Sequence, residues 1–82
     1  MFNPELANTL PNGAVILDRR HIGKIWVWLA DFHGSQPYVT WVSDDTGETV
    51  WGRYFERYDD AYENFCERIQ RQWESQGVTC LS

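Results

Sequence analysis

With 82 residues, the chain is long enough for one domain, residues 1–82, whose core folds alone but does not enclose a deep pocket. Twelve Asp and Glu against seven Lys and Arg give a net charge of −5. That balance argues against direct nucleic-acid binding, which draws much of its affinity from basic residues on phosphates. Cys66 and Cys80 have no CxxC spacing and no disulfide-scaffold density, and no secretory leader or bilayer-length apolar run is evident. The expected setting is therefore the reducing cytoplasm of a host cell, with no membrane partner.

The first predicted element is a short helical turn at Asn3-Pro4-Glu5, where a capping Asn precedes Pro and an acid. Pro11-Asn12-Gly13 ends it. Ala14 to Leu17 is aliphatic and β-branched, a first strand whose continuation through Arg20 the pattern leaves open. Gly23 punctuates the next turn. Lys24 to Phe32 is the clearest strand: Ile25, Val27 and Leu29 alternate with Trp26, Trp28 and Phe32, so both faces are apolar, as in a central strand. A loop from His33 to Pro37 leads to a third strand, Tyr38 to Ser43. Asp44-Asp45-Thr46-Gly47 is a turn signal, and Glu48 to about Phe55 is the fourth strand. Simple alternation across that hairpin sets Trp41 opposite Trp51 and Val42 opposite Val50.

Asp60 with Glu63 imitates a capping box. Ala61, Tyr62, Phe65, Cys66, Ile69 and Trp73 then recur at helical spacing, predicting an amphipathic helix from about Asp60 to Gln76 with Cys66 buried on its apolar side. Glu67 and Arg71 form an i,i+4 pair, and Gly77 is a C-terminal stop. The expected fold is α+β: a three- to four-stranded, largely antiparallel sheet packed against one C-terminal helix that covers the face of Ile25, Val27 and Leu29.

Little in the chain assembles into catalytic machinery. Glycines are scattered rather than gathered into a phosphate loop, and no nucleophile elbow or HExxH pair occurs. Asp31-x-His33 has two metal-ligand types but no third at supporting spacing, and Cys66 on a helix stripe is poorly placed as a nucleophile. The expectation is a non-enzyme without cofactors or metals. Binding is better supported, because five Trp, four Tyr and four Phe exceed what a sheet with a single helix covers easily. Trp26, Trp28, Trp41 and Trp51 are the candidate apolar contacts. Burial beneath the N-terminal segment, or in a homodimer, accounts for the same residues equally well. Asp44, Asp45 and Glu48 are the candidate charges, although ordinary turn chemistry also explains them. Arg19, Arg20 and Lys24 make a small basic patch that balances charge, with an anionic contact there as the alternative.

Leu10-Pro11-Asn12-Gly13-Ala14-Val15-Ile16-Leu17, Tyr38-Val39-Thr40-Trp41, Gly52-Arg53-Tyr54-Phe55 and the helical run Asp60 to Arg68 span most of the chain. Together they resemble small uncharacterised bacterial and phage or plasmid proteins with an antiparallel sheet followed by Asp-Ala-x-x-x-Phe-x-x-Arg on a helix. In size, acidity and layout the chain is also similar to some anti-CRISPR proteins. That likeness implies a mobile-element inhibitor that occludes a host protein or ribonucleoprotein complex handling nucleic acid. A small structural homodimer and an aromatic-surface binder of single strands are the alternatives.

Overall fold

The computed structural model describes residues 2–44 and 46–75. Four strands, β1 (Val15–Ile22), β2 (Ile25–Asp31), β3 (Tyr38–Ser43) and β4 (Val50–Phe55), form one antiparallel sheet in the order β1-β2-β3-β4. The helix α1 (Tyr58–Ser75) follows, so the α+β expectation holds with all four strands present. Gly77, Val78 to Ser82 and Cys80 lie outside the described residues.

β1 runs through Arg20 to Ile22, longer than its aliphatic start indicates. Two residues, Gly23 and Lys24, close it onto β2, with Ile22 paired to Ile25. Gly23 has φ +61°, a backbone state that glycine enters without a Cβ clash and that suits a tight hairpin. β2 has the two-sided burial of a central strand: Trp26, Val27, Trp28, Leu29 and Ala30 are all buried.

Two packed layers result. On one face Ile22, Val27 and Leu29 meet Ala61 and Phe65 of α1, with Ile69, Trp73, Tyr38 and Phe55 at the margin. On the other, Trp26, Trp28, Ala30, Val39 and Trp41 are closed over by Leu10 and Ala14, with Phe2 and Ile16 packed beside them. The N-terminal arm is anchored by its own hydrogen bonds. Asn3 Oδ1 accepts from the Glu5 amide (3.0 Å), the Ile16 amide donates to the Asn8 carbonyl (2.9 Å), and Arg19 donates to the Pro4 carbonyl (2.8 Å). Asn3-Pro4-Glu5 is thus a single capped turn, and Arg19 of the basic patch holds the arm while its guanidinium lies 5.8 Å from the Trp28 ring centroid.

Two helix expectations need correction. The first turn starts at Tyr58, with the Ala61 amide donating to the Arg57 carbonyl (3.2 Å), so Asp60 lies inside the helix rather than capping it. Asp59 and Asp60 then complement the positive end of the helix. Cys66 is exposed rather than buried, because the covered stripe is Ala61, Phe65, Ile69 and Trp73. Cys66 falls at the edge of that stripe, just beyond the direction of Trp73, and is left uncovered. It faces Tyr62 one turn earlier, and the Cys66 thiol pushes that phenol above its ordinary value.

Candidate binding surface

Three of the four candidate tryptophans are core. Trp28 is fully buried and donates from Nε1 to Ser43 Oγ (2.7 Å), which satisfies the one polar atom of its ring. Trp26 stacks on it at 5.4 Å, and His21 on Trp26 at 4.3 Å. Trp41 is 6% exposed, edged by Phe32 and Tyr54. The expectation that Trp26, Trp28 and Trp41 offer an open contact face is therefore overturned, because the arm from Phe2 to Ala14 covers them.

Trp51 is different: it is 73% exposed. It does not pair one-to-one with Trp41. Val42 pairs with Val50 as expected, but Thr40 pairs with Arg53, so Trp51 and Gly52 together oppose Trp41 across a bulge. Gly52 is required there, since a Cβ would meet Trp41 Nε1 at 2.5 Å. The Trp41 indole lies across the bare glycine, and Trp51 is carried to the helix-bearing side of the sheet.

The bulge holds Trp51 at φ +57°, the left-handed region that is rare for a bulky residue and costs about 1–2 kcal/mol. A chain of hydrogen bonds fixes it. Buried Thr40 donates from Oγ1 to Asn64 Oδ1 (2.5 Å), Arg68 Nε donates to the same oxygen (3.1 Å), and Arg68 Nη2 donates to the Trp51 carbonyl. The sheet centre is thus tied through α1 to the exposed edge strand.

Trp51 and Val42 form part of the wall of a groove of about 370 Å³ between β4 and α1, into which Arg53, Arg68 and Arg71 converge. Burial, then the like charges of Arg53 and Arg71, lower the pKa of Arg68 from its ordinary value. Among the described residues none of the three guanidiniums makes an ion pair. Arg71 joins this groove while Glu67 lines the next one, so the expected Glu67–Arg71 pair does not form. That neighbouring hollow carries Asp60, Glu63 and Glu67 and shares Arg53 and Asn64. On the opposite flank Trp51 and Val42 also border a hollow lined by Ile25, Val50, Asp44 and Glu48. The hollows along this surface therefore run acidic, basic and acidic, with Trp51 bordering the second and third.

Of the predicted charges, Asp44 and Glu48 are exposed beside Trp51, and Asp45 lies outside the described residues. Asp44 is engaged with its own turn: its carboxylate accepts from the Thr46 amide (2.9 Å) and hydroxyl (2.5 Å), which hold its pKa below the ordinary carboxylate value. Asp31 similarly accepts the His33 amide (2.9 Å), and this local turn accounts for the Asp-x-His pair. Among the described residues no cluster of His, Cys, Asp and Glu is arranged to hold a metal, and no helix is long and apolar enough to cross a membrane.

No protein-family model, curated protein or solved structure matches this chain.

Sequence reasoning overlooked Arg53, Arg68 and Arg71. Asn64, Arg68 and Arg71 have the i, i+4, i+7 spacing of one helix face, and Arg53 shares a strand face with Phe55; those spacings were the available signal.

Proposed function

We propose that this chain is a non-enzymatic protein-binding module whose contact surface is centred on Trp51. In this reading it acts in the cytoplasm as a mobile-element inhibitor of anti-CRISPR type, occluding a host protein that handles nucleic acid. The observation that carries the binding reading is Trp51 itself: a large exposed aromatic held in an unfavourable backbone state by a dedicated hydrogen-bond chain. Exposed indoles at well-supported positions are frequent anchors of protein interfaces, and flanking charges select the partner. The partner surface complementary to this one has basic groups to meet Asp44 and Glu48, and a recess for an indole.

The test is parallel affinity capture with the tagged wild-type chain and its Trp51→Gly variant from a lysate containing nucleic-acid-handling complexes. Glycine accepts the left-handed backbone, so the variant keeps the fold. One stoichiometric partner retained by the wild type and lost by the variant supports the reading. Equal retention by both removes Trp51 from the interface, and self-association alone, seen as a concentration-dependent mass in light scattering, replaces the module with a homodimer.

A further inference from the structure

Three arginines drawn together without an acidic partner are an unbalanced arrangement, and in a chain of net charge −5 they stand out. Arg53, Arg68 and Arg71 are three of the seven basic residues, brought from β4 and α1 to one groove. Each guanidinium is a planar fork suited to two oxygens of a phosphate or carboxylate. Arg68 is already oriented by Asn64 and the Trp51 carbonyl, leaving Arg53 and Arg71 as the more adjustable pair. The Trp51 indole stands at the wall of the same groove.

The surroundings limit how large the anion is. One end of the groove gives onto Asp60, Glu63 and Glu67, and the other flank onto Asp44 and Glu48. An extended polyanion leaving the groove in either direction meets carboxylates, whereas a compact one does not. A volume of about 370 Å³ falls in the range of small-ligand sites. We propose that this groove binds a compact phosphate ester carrying a planar ring, the chemistry of a mononucleotide, with its phosphates on Arg53, Arg68 and Arg71 and its ring against Trp51. Aromatic side chains stack on any nucleobase, so the site is selective for the phosphate and tolerant of the base. This site stands whether or not the protein-binding reading does; where both hold, ligand and partner compete for Trp51.

The experiment is isothermal titration calorimetry of the full chain at low salt with ADP, inorganic pyrophosphate and an oligothymidylate of about ten nucleotides. The expected result is single-site sub-millimolar binding of ADP. Arg71→Gln and Arg53→Gln should each weaken it about tenfold, as loss of one charge-assisted contact implies. Trp51→Gly should weaken ADP severalfold while leaving pyrophosphate unchanged. Arg71 is an exposed helix residue, so R71Q carries the test alone if R53Q fails to fold. Absence of ADP binding, or arginine variants that bind like the wild type, overturns the site. Oligothymidylate binding tighter than ADP overturns the compact-ligand claim in favour of a strand, and a Trp51 variant that binds ADP normally removes the ring contact.

Discussion

The two faces of the sheet solve the same problem with different materials. On the helix side small aliphatics, Ile22, Val27 and Leu29, meet Ala61 and Phe65, and the single helix leaves grooves along β4. On the other side no second helix lies among the described residues; bulky indoles fill the layer and an irregular N-terminal arm closes it. The aromatic richness that suggests a binding surface is thus mostly the price of lacking a second helix. The exposed indole lies instead on the helix-bearing side, where β4 departs from regular alternation. Surplus of a residue type located the exposed indole less well than a break in pattern did.

The sharpest way to break this comparison is Trp28→Ala. Trp28 is the largest fully buried side chain, and its removal also deprives Ser43 Oγ of its indole donor. A loss of about 3–5 kcal/mol in urea unfolding is expected. A loss below about 1 kcal/mol would mean that the arm does not form a true core layer with the sheet.

Gly52→Val tests the bulge. A Cβ at position 52 collides with the Trp41 indole, so that ring or the strand must move, at a cost of about 1–3 kcal/mol. Trp41 fluorescence should shift towards that of a more exposed indole. If stability and emission are both unchanged, Trp41 does not depend on the bare backbone beneath it.

Trp51→Gly sharpens the contrast in the opposite direction. Its side chain is largely exposed and its backbone is left-handed, so relief of strain offsets the entropy that glycine adds to the unfolded chain. Stability should stay within about 1 kcal/mol of wild type, while partner binding is lost and ADP binding weakens severalfold. A large destabilisation would instead make Trp51 a structural residue, like the three tryptophans on the other face.

Much of this fold was legible in the sequence. The alternation along Ile25 to Phe32 disclosed a two-sided central strand, and the face covered by the helix followed from Val27 and Leu29. What escaped notice depended on events that alternation does not encode. A bulge shifts every later side chain by one place, so counting outward from the turn set Trp51 against Trp41. Gly52 beside Trp51 was the available warning, because an isolated glycine within a strand often marks a bulge or a close approach. Cys66 marks the edge of the helix stripe, where helical spacing alone does not tell a covered position from an open one. The arginine groove joins residues distant in sequence, and only the pairing of β4 with β3 and the seating of α1 bring them together.

The smallest expected effect separates turn-building from contact among the acids near Trp51. Asp44 accepts two hydrogen bonds from Thr46, whereas Glu48 contributes its backbone amide to Thr46 Oγ1 and leaves its carboxylate in solvent. Because the hydrogen bonds favour the charged form, Asp44 has a folded-state pKa below its ordinary value of 3.8. The unfolded chain therefore takes up this proton first as pH falls. The contribution of Asp44 to stability is complete above the ordinary value and disappears as pH falls through the lowered one. Thr46→Ala removes the hydroxyl donor, so the carboxyl titration followed by NMR should move back towards 3.8, with a smaller acid-side loss of stability. An unmoved titration would show that the hydroxyl does not govern Asp44. If Thr46→Ala preserves partner affinity while Glu48→Gln lowers it, the two acids divide as the two faces of the sheet do: one maintains the fold, and the other is available for contact.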